Sequence, residues 1–312
     1  MFDVSNIAPA SGISVVVPHY GDPAVSQHLI DALQIQTTER PLQIIIVDDH
    51  HPTPYPDSNL PDIQVIRRDV NGGFGSAVNT GAESAQHPLL LILNSDLTIG
   101  VTFIEELCRA AEKWLPAIVS PTVVDGNGAN QYVARMFPTI TRSIIAGLVP
   151  LARWRDSARW HRAVGHELPD PLAEATICDW FIGAVILMPT TAFHQLGGFD
   201  ERFYMNSEEV DLQRRAREIN LPSVVLAGVT VEHVGGGSSD GARRFLWLMQ
   251  GDWRYRVKWE GKFRARSFQA AMLAVTVINL VWDSVRALFG RPTRPLQSFR
   301  RGASAIIRSS RD

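Results

Sequence analysis

Residues 89–96 read Leu-Leu-Leu-Ile-Leu-Asn-Ser-Asp, five aliphatic side chains running straight into an amide, a hydroxyl and a carboxylate. A continuous apolar run of this length marks a strand whose sheet is covered on both faces. The pattern recurs at 13–18 (ISVVVP), 42–49 (LQIIIVDD), 63–68 (IQVIRR) and 117–124 (AIVSPTVV). Between these runs, residues 24–36, 75–85 and 102–114 read as helices, with Val25, Leu29 and Leu33 at helical spacing in the first. Strands alternating with helices predict an α/β fold, a Rossmann-like, mostly parallel sheet flanked by helices.

In such sheets ligands bind beyond the carboxyl ends of the strands. Three runs end in polar groups: Pro18-His19-Tyr20, Asp48-Asp49 and Asn94-Ser95-Asp96. One acid at a strand end is often a helix cap. Three polar ends on one rim predict a site.

The 312 residues are 45% hydrophobic and carry a net charge of −2, enough apolar material for one large core or two modest ones. Cys108 and Cys178 cannot form a disulfide framework and are read as core residues in a reducing cytosol. The first 20 residues lack the basic start and apolar stretch of a signal peptide. No uninterrupted apolar run reaches the roughly 20 residues that span a bilayer. The nearest, Phe268 to Trp282, is broken by Gln269, Thr276 and Asn279.

Charge is unevenly spread. From Ala242 onward there are 15 Lys/Arg against 4 Asp/Glu, a net +11, which leaves −13 on the preceding residues. A basic tail with a long apolar segment predicts contact with an anionic membrane surface, with Phe268, Leu273, Val277 and Trp282 on its apolar side. The tail has no nucleic-acid recognition motif, so no nucleic-acid partner is expected.

Three motifs carry chemistry. The stretch NGGFGSAVNTG (71–81) sets glycines before a helix, where backbone can approach a phosphate closely or simply turn tightly. Val78 fills the third glycine slot of a dinucleotide fingerprint, so that reading fails. The stretch SEEVDL (207–212) supplies Glu208, Glu209 and Asp211 at the start of a helix running to Glu218. They serve either a pocket or the helix dipole. In VTVEHVGGGSS (229–239), His233 ends an alternating strand and can join a carboxylate as a metal ligand.

In chain order, VVVPHY, IVDD, NGGFGSAVNTG, LNSD, DWFIGAVILM, GGFDERFYMNSEEVDL and EHVGGGSS resemble an inverting family 2 glycosyltransferase of the GT-A fold, rhamnosyltransferase-like branch. The resemblance covers about residues 12–240 and implies a role for each matching position. Pro18, His19 and Tyr20 would line the nucleotide pocket. Asp48 and Asp49 would read base and ribose, and Asn71, Gly73, Phe74 and Asn79 would hold the nucleotide. Asp96 and His233 would bind a divalent cation, Mg²⁺ or Mn²⁺, on the donor diphosphate. Asp179, Trp180, Gly183 and Ala184 would face the acceptor, and Glu209 would be the catalytic base. Three positions depart from the family's pattern: Gly21 replaces an Asn, the metal motif has one carboxylate, and Glu209 replaces an Asp. Glu208 and Asp211 therefore stay open as bases.

The resemblance implies transfer of a sugar, expected to be L-rhamnose, from a dTDP- or UDP-linked donor to a lipid-linked saccharide or polysaccharide of the cell envelope. The expected location is peripheral, on the cytoplasmic face of the plasma membrane. The expected organisation is a nucleotide-sugar-binding half (1–125), an acceptor-binding and catalytic half (126–241) and a basic helical tail (242–312). The alternatives are a non-catalytic nucleotide-sugar-binding module and a sugar-phosphate nucleotidyltransferase. PHYGDP after the first strand lacks the latter's glycine-rich basic loop.

Overall fold

The computed structural model describes residues 11–58, 60–170, 172–233 and 240–310. The glycine–serine run at 235–239 lies outside them. In chain order the strands and helices are β1 (Ile13–His19), α1 (Pro23–Gln34), β2 (Leu42–Asp48), β3 (Ile63–Arg67), α2 (Phe74–Glu83), β4 (Leu89–Leu93), β5 (Leu97–Thr98), α3 (Phe103–Ala111) and β6 (Ile118–Val124). There follow β7 (Ala134–Arg135), α4 (Ile140–Gly147), α5 (Ala158–Val164), β8 (Ala175–Cys178), β9 (Trp180–Phe181), β10 (Val185–Pro189), α6 (Thr190–Gln195), α7 (Glu208–Glu218), β11 (Ser223–His233), α8 (Gly241–Trp259), α9 (Lys262–Leu288) and α10 (Pro295–Arg308).

The main sheet runs β3-β2-β1-β4-β10-β6-β11-β5, with β8 also on β11. Strands β3, β2, β1 and β4 are parallel neighbours, as are β6 and β11. Their aliphatic side chains form the core. The stretch 177–189 departs from a simple parallel reading. It breaks at Asp179 and again before Val185, and β10 runs antiparallel between β4 and β6. The middle segment is mostly short helix, in α4, α5 and a 3-10 turn at Val149–Trp154. Cys108 and Cys178 are buried, and burial pushes the Cys108 thiol up to about 12, against the pull of Arg40, which leaves it protonated and inert.

The chain forms two compact units. One takes in residues up to Arg135, Pro169–Tyr204 and the segment from Glu208 through β11. The other joins Met136–Leu168 and Met205–Ser207 to the three C-terminal helices, so residues 136–168 fold with the tail instead of with an acceptor half. In this second unit Met249, Phe268, Met272 and Ile306 form a small core. Arg256 is buried there, stacked 4.4 Å from the Phe268 ring and paired with Glu260 at 3.1 Å.

The tail's apolar side differs from the sequence expectation. Phe268 is buried and Leu273 packs beside it, while Val277, Ile278, Val281, Trp282, Val285 and Leu288 are exposed. The polar breaks do not interrupt that exposed face. Gln269 donates to the Ile306 carbonyl, Thr276 to that of Met272 and Asn279 to that of Gly147. The 27-residue α9 is consequently long and apolar enough to cross a membrane by length and composition, which the broken sequence run had not suggested.

Candidate active site

Parallel pairing of β2, β1 and β4 sets His19, Asp48 and the Asn94–Asp96 turn on one rim. The two β2 acids brace that rim. Burial opposes ionisation of Asp48, but the N–H groups of Tyr55 and His51 and the Arg67 guanidinium outweigh it and hold its carboxyl below the usual range. Asp49 accepts from the N–H groups of Gly72 (3.0 Å) and Gly73 (2.7 Å) and pairs with Arg68. Both acids thus brace the loops of this rim. Gly73 sits at φ +84°, where a Cβ would lie 1.8 Å from the Tyr204 carbonyl oxygen, so only glycine fits there.

Two buried acceptors on the rim have no partner. His19 donates from Nε2 to the Gly21 carbonyl at 3.1 Å, which leaves Nδ1 as a bare acceptor. Burial holds its pKa below the ordinary value, so the ring stays neutral. The second is Asn71 Oδ1. Such atoms suit the N–H and O–H donors of a nucleoside. Pro18 is buried within β1, and Tyr20 lies half-exposed against His51. The Asn79 amide accepts from Phe199 N at 2.8 Å and donates to Phe199 O at 2.9 Å and to Glu201 Oε1 at 3.3 Å, so it pins that loop. Phe74 likewise packs its ring on Phe199.

Asp96 and His233, 137 positions apart, meet through a two-residue ladder. Strand β5 pairs antiparallel with the end of β11, setting His233 opposite Leu97, and His233 Nε2 lies 3.2 Å from Asp96 Oδ1. Asn94 Nδ2 is 3.4 Å from the same nitrogen. Among the described residues no cluster holds three or more His, Cys, Asp or Glu side chains. One carboxylate oxygen and one imidazole nitrogen aimed at the same point fit a cation that takes its remaining ligands from diphosphate oxygens.

The α7 acids diverge, because neighbours on a helix point about 100° apart. Glu208 is buried, its Cβ 3.7 Å from where a Gly75 Cβ would stand. Glu209 faces the other way, its Cβ 3.3 Å from where a Gly183 Cβ would stand. Asp211 is buried against Arg215 at 2.9 Å, and Arg215 also donates to the Leu196 and Gly198 carbonyls, which makes Asp211 part of a structural pair. On the acceptor side, Asp179 pairs with Arg217, and Trp180 lies across the β7–β9 ladder from Arg135. Ala184 is buried, and its carbonyl accepts from Asn94 N at 2.9 Å, tying this motif to the cation turn.

Arg135 is a site residue that the sequence reading missed. Its guanidinium stands 5.8 Å from the Trp180 ring and its buried Nε has no partner. Burial lowers its pKa to about 10, opposed by the negative charge of Glu209. Glu209 therefore sits beside the Arg135 cation. A cleft of about 1010 Å³ opens at the amino ends of β2 and β3, lined by Arg40, Gln43 and Asp62, away from all of these groups.

Solved structures share this architecture. GalNAc-T7, in complex with UDP, GalNAc and Mn²⁺, superposes with a TM-score of 0.56 at 13% identity over 83% of this chain and 54% of that one. The mannosyltransferase PcManGT from Pyrobaculum calidifontis, in complex with GDP-Man and Mn²⁺, gives 0.53 at 14% identity over 96% of this chain and 86% of that one. This chain thus spans about half the length of the first. The fold is GT-A, that of glycosyltransferases. Residues 14–156 match the family described as "Glycosyl transferase family 2". The N-acetylglucosaminyl-diphospho-decaprenol L-rhamnosyltransferase of Mycobacterium tuberculosis is 28% identical over 215 residues, 63% of this chain and 67% of that one. Residues 14–156 thus match a family 2 glycosyltransferase domain, and the chain is similar in sequence to a rhamnosyltransferase.

Proposed function

We propose that this glycosyltransferase moves L-rhamnose from a dTDP- or UDP-linked donor to a lipid-linked saccharide in cell-envelope glycan synthesis, with inversion. The carrying observation is the Asp96–His233 pair at 3.2 Å on the rim where β1, β2 and β4 end. The sugar and acceptor are those in the mycobacterial relative's name, carried over here as our reading.

In this reading His19 Nδ1 and Asn71 Oδ1 accept hydrogen bonds from the nucleoside, and the Asp49-braced loop holds its backbone against the diphosphate. Asp96 and His233 would hold Mg²⁺ or Mn²⁺, which would offset the negative charge that grows on the departing diphosphate. Glu209, beside Arg135, takes the proton from the acceptor hydroxyl as its oxygen attacks the anomeric carbon opposite the leaving group. One bond forms as the other breaks, and no sugar–enzyme bond is made.

Thermal unfolding with a panel of nucleotide sugars, with and without Mn²⁺, tests this. One rhamnose donor is expected to raise the melting temperature only when the metal is present, and then to yield glycosylated lipid acceptor. Equal stabilisation in chelator removes the cation from the reading. Donor binding with no transfer or hydrolysis favours the non-catalytic module instead.

The location we propose is the cytoplasmic face of the plasma membrane, with α9 lying on the lipid surface. Support comes from an exposed stripe including Val281 (59% exposed) and Leu288 (86% exposed), and from exposed Arg291, Arg294, Arg300 and Arg301 nearby. Because Ala265, Phe268, Met272 and Val275 are buried in protein, the helix can offer lipid only its other side. Sedimentation with anionic vesicles is expected, and Val281→Glu with Leu288→Glu should weaken it by more than about tenfold. Unchanged sedimentation of that variant would discard this face.

A further inference from the structure

The turn after β6 folds back tightly. Asp125 Oδ1 accepts from the N–H groups of Asn127 and Ala129, both at 2.9 Å, and this returns the chain so that Gln131 N donates to Val123 O at 2.9 Å. The Gln131 side chain then reaches His233 twice. Its Nε2 donates to the His233 carbonyl at 2.8 Å and points its other hydrogen at the Val124 carbonyl at 3.4 Å. Its Oε1 lies 3.3 Å from His233 Nδ1.

These contacts assign the amide orientation. Carbonyl oxygens only accept, so the end of the amide facing two of them must be the NH₂ group, and Oε1 must face the ring. An acceptor at Nδ1 requires Nδ1 to carry a hydrogen. With a cation on Nε2 this bond is satisfied, whereas without one the Asp96 carboxylate, 3.2 Å from Nε2, accepts a hydrogen there and competes with Gln131 for the ring proton. Free neutral imidazole favours the other arrangement, with its proton on Nε2, which would block a cation there. The backbone bonds of Gln131 also fix the ring's plane, since the same amide holds both the ring and the main chain of His233.

We propose that Gln131 is a positioning residue for the cation site: it holds His233 in the Nδ1–H tautomer and so keeps Nε2 available beside Asp96. This rests on Asp96 and His233 being cation ligands. It adds the partner that sets the imidazole's state, a role such outer contacts play at metal-bound histidines generally. Gln131 touches neither donor nor acceptor in this account.

Two measurements test it, neither using turnover. The first is the imidazole nitrogen spectrum of the protein with Mg²⁺ and UDP in alkaline buffer, with His233 assigned by its loss in His233→Asn. Wild type should show the Nδ1–H form, and Gln131→Met, which keeps the shape but removes both hydrogen-bonding groups, should shift towards Nε2–H. The second is Mn²⁺ binding in the presence of UDP, followed by the paramagnetic signal of free Mn²⁺. Gln131→Met should weaken it by about 10- to 100-fold. An Nε2–H ring in wild type overturns the proposal whether or not any variant folds. So does a folded Gln131→Met protein with wild-type Mn²⁺ affinity. Wild type that binds no Mn²⁺ while showing the Nδ1–H ring instead removes the cation reading beneath the proposal, and the two failures are told apart.

Discussion

Glu209→Gln is expected to bind donor as wild type does and to lose turnover by about 10²- to 10⁴-fold, the usual contribution of a positioned general base. The amide keeps the shape of the carboxylate but cannot take a proton. Glu209 is singled out by its surroundings, with Gly183 leaving room at its Cβ and the Arg135 cation beside it. Asp211→Asn provides the contrast. It removes one partner of a buried ion pair with Arg215, so it should cost about 3–5 kcal/mol of stability with turnover per folded molecule retained. Steady-state kinetics alongside denaturant unfolding separates the two effects. Full activity in Glu209→Gln would move the base to Glu208.

Asp96→Ala is expected to abolish the mutual dependence of metal and donor. In wild type, donor and Mn²⁺ at a hundredfold over the dissociation constant should add about 2.7 kcal/mol of apparent stability. The variant should keep little of it, because its imidazole and the diphosphate remain without the carboxylate that joins them. Thermal unfolding at matched concentrations measures this. Metal-dependent stabilisation of the same size in both proteins would show that the cation sits elsewhere.

The parts of this molecule governed by local chemistry were legible in its sequence. Uninterrupted aliphatic runs announced β1, β2 and β4, and their polar ends announced the rim. What escaped depends on partners far along the chain. Strand β5 is two residues long, too short to carry a periodic signal, yet it alone brings His233 to Asp96. The partners of Asn79, Asp48 and Asp49 escaped too, because no local pattern discloses Phe199, 120 residues from Asn79, or Arg67, Arg68 and the glycine N–H groups as the groups these side chains bond. Gln131 and Arg135 gave no signal at all, since an isolated glutamine or arginine in a short irregular segment has no distinguishing spacing. Phe268 was assigned to the wrong side of its helix because composition shows that a face is apolar, not which neighbours cover it.

The pairing of β5 with β11 also sets an order of events during synthesis. A growing chain exposes Asp96 first, then the acids of α7, and His233 last among the groups assigned here. Proteins made from the amino end fold largely in that direction. A ribosome-bound intermediate ending before β11 would hold the proposed base and half of a cation site, with nothing to complete it. In the proposed mechanism metal capture would thus be deferred until β11 docks, and a nascent chain would not spend activated sugar before its acceptor-side acids are in place.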